Sequence, residues 1–257
     1  MKVVIAMAGP GDRFLESQNT DIVPMIEVDG RPMVSHVVDL YPGETDFVFL
    51  CRKDHLDRSD LGKVLSGLRP GAPIIAVKRH DLGPVETVLK ADGFINDDES
   101  VLVSHCDFSA WWDYPAFKRF VAKSRCDGCI LTCSGFHPHL IGPGRYAGLR
   151  IDDRGRALEI REKHAFVKDP RSGHWSAGAY WFRRWRDARS CMRRAMDECV
   201  PLDGGVYVSM AVQLLIDDGL DIRTWDLDYF LHWGNPVHLA AYRMWAKYFK
   251  AVRGRQT

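Results

Sequence analysis

The chain opens KVVIAMAGPGDRF, Lys2 to Phe14. An apolar run, Val3–Met7, breaks at Gly9-Pro10-Gly11, and Asp12 and Arg13 follow. Glycine takes positive φ and lets a ligand come close to the backbone. A glycine turn after a strand exposes backbone N–H groups that suit phosphate oxygens. An adjacent arginine adds a fixed cation with a forked donor array. Gly9, Gly11 and Arg13 can therefore hold a triphosphate, although such a turn alone also serves as a plain strand-to-loop connection. A second polar strand end is His105-Cys106-Asp107, in SVLVSHCDF. Alternate residues of an extended segment share a face, so His105 and Asp107 can both point at one site. The plainer reading of His105 is a packed strand-end histidine.

Other residues with chemical potential have plainer readings too. CDGCILTC holds Cys126, Cys129 and Cys133. A C-x-x-C pair can bind zinc or do redox chemistry, but no second pair follows, so structural cysteines are expected. His137 and His139, two apart, share a strand face and read as pocket or surface histidines rather than metal ligands. The aromatic run Ala110–Tyr114 can stack a base, but aromatic packing is the commoner role. The basic, aromatic tail Tyr242–Thr257 can touch an anionic membrane or a partner subunit. It reads more simply as a solvated final helix that packs Trp245 and Phe249 on the domain.

The elements that must position these residues alternate. Strands are expected at Val3–Met7, Asp46–Cys51, Pro73–Val77 and Ser100–Phe108. Helices are expected at Met33–Leu40, Leu56–Leu68 and Gly83–Ile95. Such alternation argues for an α/β fold with a mostly parallel sheet, whose ligands sit at the carboxyl ends of the strands. Further on, strands are expected at Cys129–Phe136, at Tyr146–Lys163 around a turn at Asp152–Gly155, and at Ser176–Phe182. Helices are expected at Arg186–Cys199 and at Val206–Gly219 with a glycine stop. No repeat, low-complexity tract or linker interrupts the chain, so one domain is expected over 1–257.

Composition sets bounds. A chain of 257 residues with 46% hydrophobic content can bury one sizeable core. Lys plus Arg is 35 against 34 for Asp plus Glu, a net charge of +1. That balance argues against a nucleic-acid partner and requires a local basic patch for any anionic ligand. No apolar run approaches the about 20 residues of a membrane span, so no integral membrane segment is expected. The N-terminus reads as mature sequence. Seven scattered cysteines suit reduced thiols in a cytoplasm.

In order along the chain stand the G-x-G-x-R loop, VPMIEVDGRPM, GPVETVLKA, HCDF, EIREK, SAGAYWF and HWGNPVHL. Together they resemble the nucleotidyltransferase family that makes nucleotide-activated sugars and related head groups, from about Val3 to His238. Within it, CDF, SAG-x-Y-x-F and WG-x-P look most like the subgroup in bacterial capsule and surface-polysaccharide gene sets, which includes cytidylyltransferases. The resemblance implies a Rossmann-like, GT-A-type three-layer sandwich with a mixed, mostly parallel central sheet. It implies a nucleotide-binding half over about 1–125, an acceptor-binding half over about 126–240 and a C-terminal helix over 241–257.

The implied activity is transfer of NMP from an NTP, CTP first, to a phosphorylated sugar or small phosphate-bearing precursor of a surface polysaccharide, with Mg²⁺ as cofactor. The implied nucleotide-binding residues are Ala8, Gly9, Pro10, Gly11, Asp12, Arg13 and Gly83. Glu162, Lys163 and Gly178 fall at acceptor-contacting positions. Arg13, Asp107 and Lys163 are the implied catalytic set, with Asp107 on the metal. A homo-oligomer is left open. The sequence also departs from the pattern. Val23 stands at the family's phosphate-neutralising lysine, and Asp12 at a usual Ser or Thr. The second metal aspartate would fall near His232 or at Met210, neither an oxygen ligand suited to Mg²⁺, which leaves Asp228 or Asp226 to fill in by position. Two alternatives therefore stand beside the transferase: a non-catalytic nucleotide or nucleotide-sugar binder on the same fold, and a nucleotide-sugar glycosyltransferase, whose D-x-D is here a single aspartate.

Overall fold

The structure, a computed structural model, describes residues 1–9, 11, 14, 22–137 and 146–253. The first strand shows how the layers arise. Along β1 (Lys2–Met7), Val3, Ile5 and Met7 enter one apolar cluster while Val4 and Ala6 enter another. Period-two alternation with both faces apolar demands a cover on each side. One cover comes from α1 (Met33–Asp39), α3 (Leu61–Leu68) and α5 (Tyr114–Ser124), through Val37, Leu65 and Phe117. The other comes from α4 (Pro84–Leu89), α6 (Trp185–Glu198) and α7 (Val208–Asp217), through Val88, Met192 and Val212. The result is a three-layer α/β sandwich.

Its centre, among the described residues, is a nine-stranded mixed sheet. Parallel pairings join β6 (Val101–His105), β1, β4 (Phe47–Arg52) and β5 (Ile74–Val77). The antiparallel strand β11 (His174–Phe182) then links β6 to β8 (Gly128–Ser134) and β9 (Gly148–Ile151). Strand β10 (Ala157–Arg161) pairs with β9, and β12 (Ile222–Asp226) with β8. Of the nine, only β10 and β11 run against the rest, so the mostly parallel sheet expected from the sequence is present. β11 shifts register between Ser176 and Tyr180, and Gly178 sits in that irregularity at φ 81°. A bulge there turns the strand beside His105.

Several details differ from the sequence expectation. The helix expected over Leu56–Leu68 is two, α2 (Lys53–Arg58) and α3. Extended Ser59 breaks them, its Oγ donating to the His55 carbonyl and accepting from the Leu61 N–H. Strand β7 (Phe108–Trp111) follows β6 directly and pairs with β13 (Tyr229–His232), a ladder that the sequence reading missed, as it missed β12. The last helix, α8 (Pro236–Arg253), starts before 241. Asn235 caps it through its side chain, accepting from Val237 N at 2.8 Å. Trp245 and Phe249 do not pack on the domain. They stack on each other and are 51% and 55% exposed, because α8 docks through Leu239 and Tyr242 instead. Trp112 and Tyr114 are packed in the aromatic core while Trp111 is on the surface.

Candidate active site

Strands β1 and β6 end side by side, and a cavity of about 520 Å³ opens there. Ala8, Gly9, Gly11 and Gly83, all expected at a nucleotide, line it. Gly11 has φ 70°. Gly83 caps α4 at φ 91°, and a β-carbon there would lie 2.4 Å from Val206 N. Only glycine fits that crossing, which Val206 N→Leu82 O (3.0 Å) and Val85 N→Val206 O (3.2 Å) stitch together. Pro10, Asp12 and Arg13 lie outside the described residues. Among the described residues of this cavity there is no lysine or arginine, and Val23 lines it at the position where the resemblance implies a lysine. His55 also lines it. Burial, followed by the charge of Arg52, pushes its pKa down to about 4.

A second cavity, about 440 Å³, opens on the other side of Asp107 and contains Glu162, Lys163 and Gly178, the three expected acceptor residues. Glu162 accepts from Ser209 Oγ. Burial lifts its pKa above the ordinary carboxylate value against the pull of that hydrogen bond, Lys163 and His105. Lys163 donates to Asp203 Oδ2 at 2.5 Å and to Tyr207 OH at 2.9 Å, with its ammonium 4.7 Å from the Tyr207 ring centre. Burial opposes its charge, but those hydrogen bonds outweigh it and raise the pKa.

His105, Asp107 and Tyr207 line both cavities. The β7–β13 ladder seats Phe108 opposite His232, and Trp233 N donates to Asp107 O at 2.8 Å. A β-carbon on Gly234 would lie 2.0 Å from Asp107 Oδ2 and 2.9 Å from His232 Nε2, so both side chains pack against the backbone of this glycine. On its other side, His232 Nδ1 is 2.8 Å from Tyr146 OH and 2.9 Å from His238 Nδ1.

The structure does not bring Asp228 to this point. Asp228 lies beyond Tyr229, which pairs with Trp111 at the far end of the ladder. Four residue steps along the strand separate it from His232, on the order of 13 Å. Asp226 is occupied by Thr132 and Ser134 hydroxyls. Mg²⁺ takes oxygen ligands, whereas the groups converging here are one carboxylate and one imidazole. The donor set therefore departs from an Mg²⁺ site of two carboxylates. Among the described residues, no three His, Cys, Asp or Glu side chains are grouped to hold a metal.

The cysteine segment is not at the site. Cys126, Cys129 and Cys133 are buried in the core, where burial raises their pKa values. His137 is buried against Ser134 O, and His139 lies outside the described residues. Sequence reasoning missed Tyr207, Asp203, Ser209, Tyr146 and His238, each brought in by a distant element. Gly234 had a signal, the glycine of HWGNP.

No protein-family model matches this sequence, and no curated protein is similar to it in sequence. Solved structures do match in fold. One is a nucleoside-diphosphate-sugar pyrophosphorylase from Vibrio cholerae, with TM-score 0.71 and 19% identity over 93% of this chain and 98% of that one. Another is the inositol-1-phosphate CTP transferase from T. maritima, with TM-score 0.72 and 14% identity over 92% and 90%. A third is the UTP-bound UGPase from Acinetobacter baumannii, with TM-score 0.67 and 15% identity over 93% and 90%. This chain shares the Rossmann-like fold of these proteins along nearly its whole length.

Proposed function

We propose that the protein is a nucleotidyltransferase joining NMP from an NTP to a phosphate-bearing acceptor, with release of pyrophosphate. One observation carries the reading: two cavities, one ringed by Gly9, Gly11 and Gly83 and the other by Glu162 and Lys163, meet at His105 and Asp107. A reaction joining two substrates needs such a junction. An acceptor phosphate oxygen entering beside Lys163 would attack the α-phosphorus in line as pyrophosphate departs. The nucleophile is already an anion, so the protein's task is alignment and charge neutralisation. Lys163 is charged and tethered for that role, and Arg13 is assigned the triphosphate.

CTP is the proposed donor, in keeping with the T. maritima neighbour, a CTP transferase by name. The proposed acceptor is a phosphorylated sugar or small precursor of a surface polysaccharide, and the proposed setting is the cytoplasm. No helix among the described residues is long and apolar enough to cross a membrane. Val23, uncharged in the nucleotide cavity, favours a second reading, a nucleotide-binding protein without turnover.

Thermal stability with each NTP, followed by pyrophosphate release with candidate acceptors, separates the two. A native-state ligand at 100-fold excess over Kd adds about 2.7 kcal/mol. Stabilisation by one NTP that Arg13→Ala removes, with pyrophosphate release, supports the transferase. Stabilisation by a nucleotide-sugar alone refutes it.

A further inference from the structure

We infer that the outward face of α8 is a docking surface for an anionic lipid bilayer. Met244, Trp245, Tyr248 and Phe249 enter the boundary between headgroups and acyl chains, and Lys247 and Arg253 meet the headgroup charge. The inference rests on α8 itself and stands apart from the proposed function.

The helix has two faces. One holds it to the domain. Leu239 is buried, Tyr242 OH donates to Asp29, Arg243 donates to the Glu27 carbonyl, and Lys250 Nζ donates to Asp29 Oδ1 at 3.0 Å. These residues stand at i, i+3, i+4 and i+11. Ala241, Met244, Trp245, Tyr248 and Val252 recur with the same period on a second stripe, on the order of 150° round the helix. That stripe therefore points away from the domain. Met244, Trp245, Tyr248 and Phe249 are each more than half exposed, and the three aromatic rings pack only on one another. A contiguous apolar patch of this kind marks an interaction surface.

Charge decides what covers it. Residues 229–257 hold Arg243, Lys247, Lys250, Arg253 and Arg255 and no Asp or Glu, so these five turn a net charge of −4 over residues 1–228 into +1 for the chain. Lys247 and Arg253 are exposed and have no carboxylate partner among the described residues. A second copy of α8 laid on the stripe would set like charges against one another with no acid to neutralise them. An anionic bilayer supplies the opposite charge and an apolar layer together. Trp and Tyr suit the headgroup level, and Lys and Arg extend their charged heads into it. A helix with such a pair of faces lies in the plane of the interface, here with the domain on the water side. Because α8 is already folded and fastened to the domain, docking carries little ordering cost.

The test is co-sedimentation of the full chain with vesicles of phosphatidylcholine alone and of phosphatidylcholine mixed with phosphatidylglycerol. The mixed vesicles should bind at least about tenfold more tightly, and raising the salt to about 0.5 M should remove that advantage. Trp245→Glu combined with Phe249→Glu should weaken binding at least about tenfold, with circular dichroism and melting temperature matched to the native protein. A milder variant, Trp245→Phe, should still bind but should lose most of the fluorescence quenching that brominated acyl chains cause in the native protein. Absence of vesicle binding, equal binding to neutral vesicles, full binding by the folded double variant, or quenching that persists in Trp245→Phe would each overturn the inference. A dimer in sedimentation equilibrium that the double variant dissociates, with no vesicle binding, would overturn it in favour of a second copy.

Discussion

The carboxylate of Asp107 occupies the space in which Gly234 would carry a β-carbon, with Oδ2 only 2.0 Å from that position. The two residues are 127 apart in sequence and meet because β7 and β13 pair antiparallel just beyond them. Gly234→Ala should therefore push the carboxylate away from the junction of the cavities. Overpacking of this kind costs about 1–3 kcal/mol, and a misplaced reacting group costs on the order of 100-fold in rate. Pyrophosphate release should fall by at least that factor while the melting temperature drops by only a few degrees. Unchanged turnover in a folded Gly234→Ala protein would count against Asp107 as the central carboxylate.

Asp107 and Asp228 offer a paired comparison. Asp228 is exposed at the far end of the ladder, so Asp228→Asn should leave turnover within about twofold, as surface substitutions usually do. Asp107→Asn should abolish it. Equal losses in steady-state assays of the two would restore Asp228 to the site.

Lys163 separates acceptor from nucleotide. Lys163 lines the acceptor cavity and not the other, and its ammonium is held at the boundary by Asp203, which lines the nucleotide cavity, and Tyr207, which lines both. Lys163→Met should raise the acceptor KM roughly 10- to 100-fold, equivalent to losing about 1.4–2.7 kcal/mol of charge-assisted binding. The nucleotide affinity by calorimetry should be unchanged. A shift in nucleotide affinity alone would reverse the assignment of the two cavities.

His55 sets a pH dependence. Burial depresses its folded pKa to about 4 from the ordinary histidine value of 6.5. Below pH 6.5 the unfolded chain takes up the proton and the folded one does not, so stability is full above pH 6.5 and is lost as pH falls toward 4. The loss from this group is roughly 2–3 kcal/mol. The melting temperature of the native protein should fall more steeply from pH 7 to pH 4 than that of His55→Asn. Parallel curves would show that His55 is not held neutral.

The sequence by itself determined the layers and the ends of the central strands. Val3 to Met7 is apolar on both faces because it is covered on both, and that pattern is local. The glycines at 9, 11 and 83 and the pair Glu162-Lys163 were legible from the order of short motifs, and the structure gathers the two groups into two cavities. The sequence could not determine what faces Asp107. Position alone left Asp228, Asp226, His232 and Met210 as candidates, and the choice depends on the register of the β7–β13 ladder, a pairing of strands 118 residues apart at Tyr229 and Trp111. A strand's register follows from side-chain packing across the ladder, here Phe108 on Phe230. A slip of one residue would turn His232 away. Tyr146, His238 and Tyr207 were likewise illegible, since each reaches the site from a separate element and only the packed core brings them within hydrogen-bonding distance of their partners.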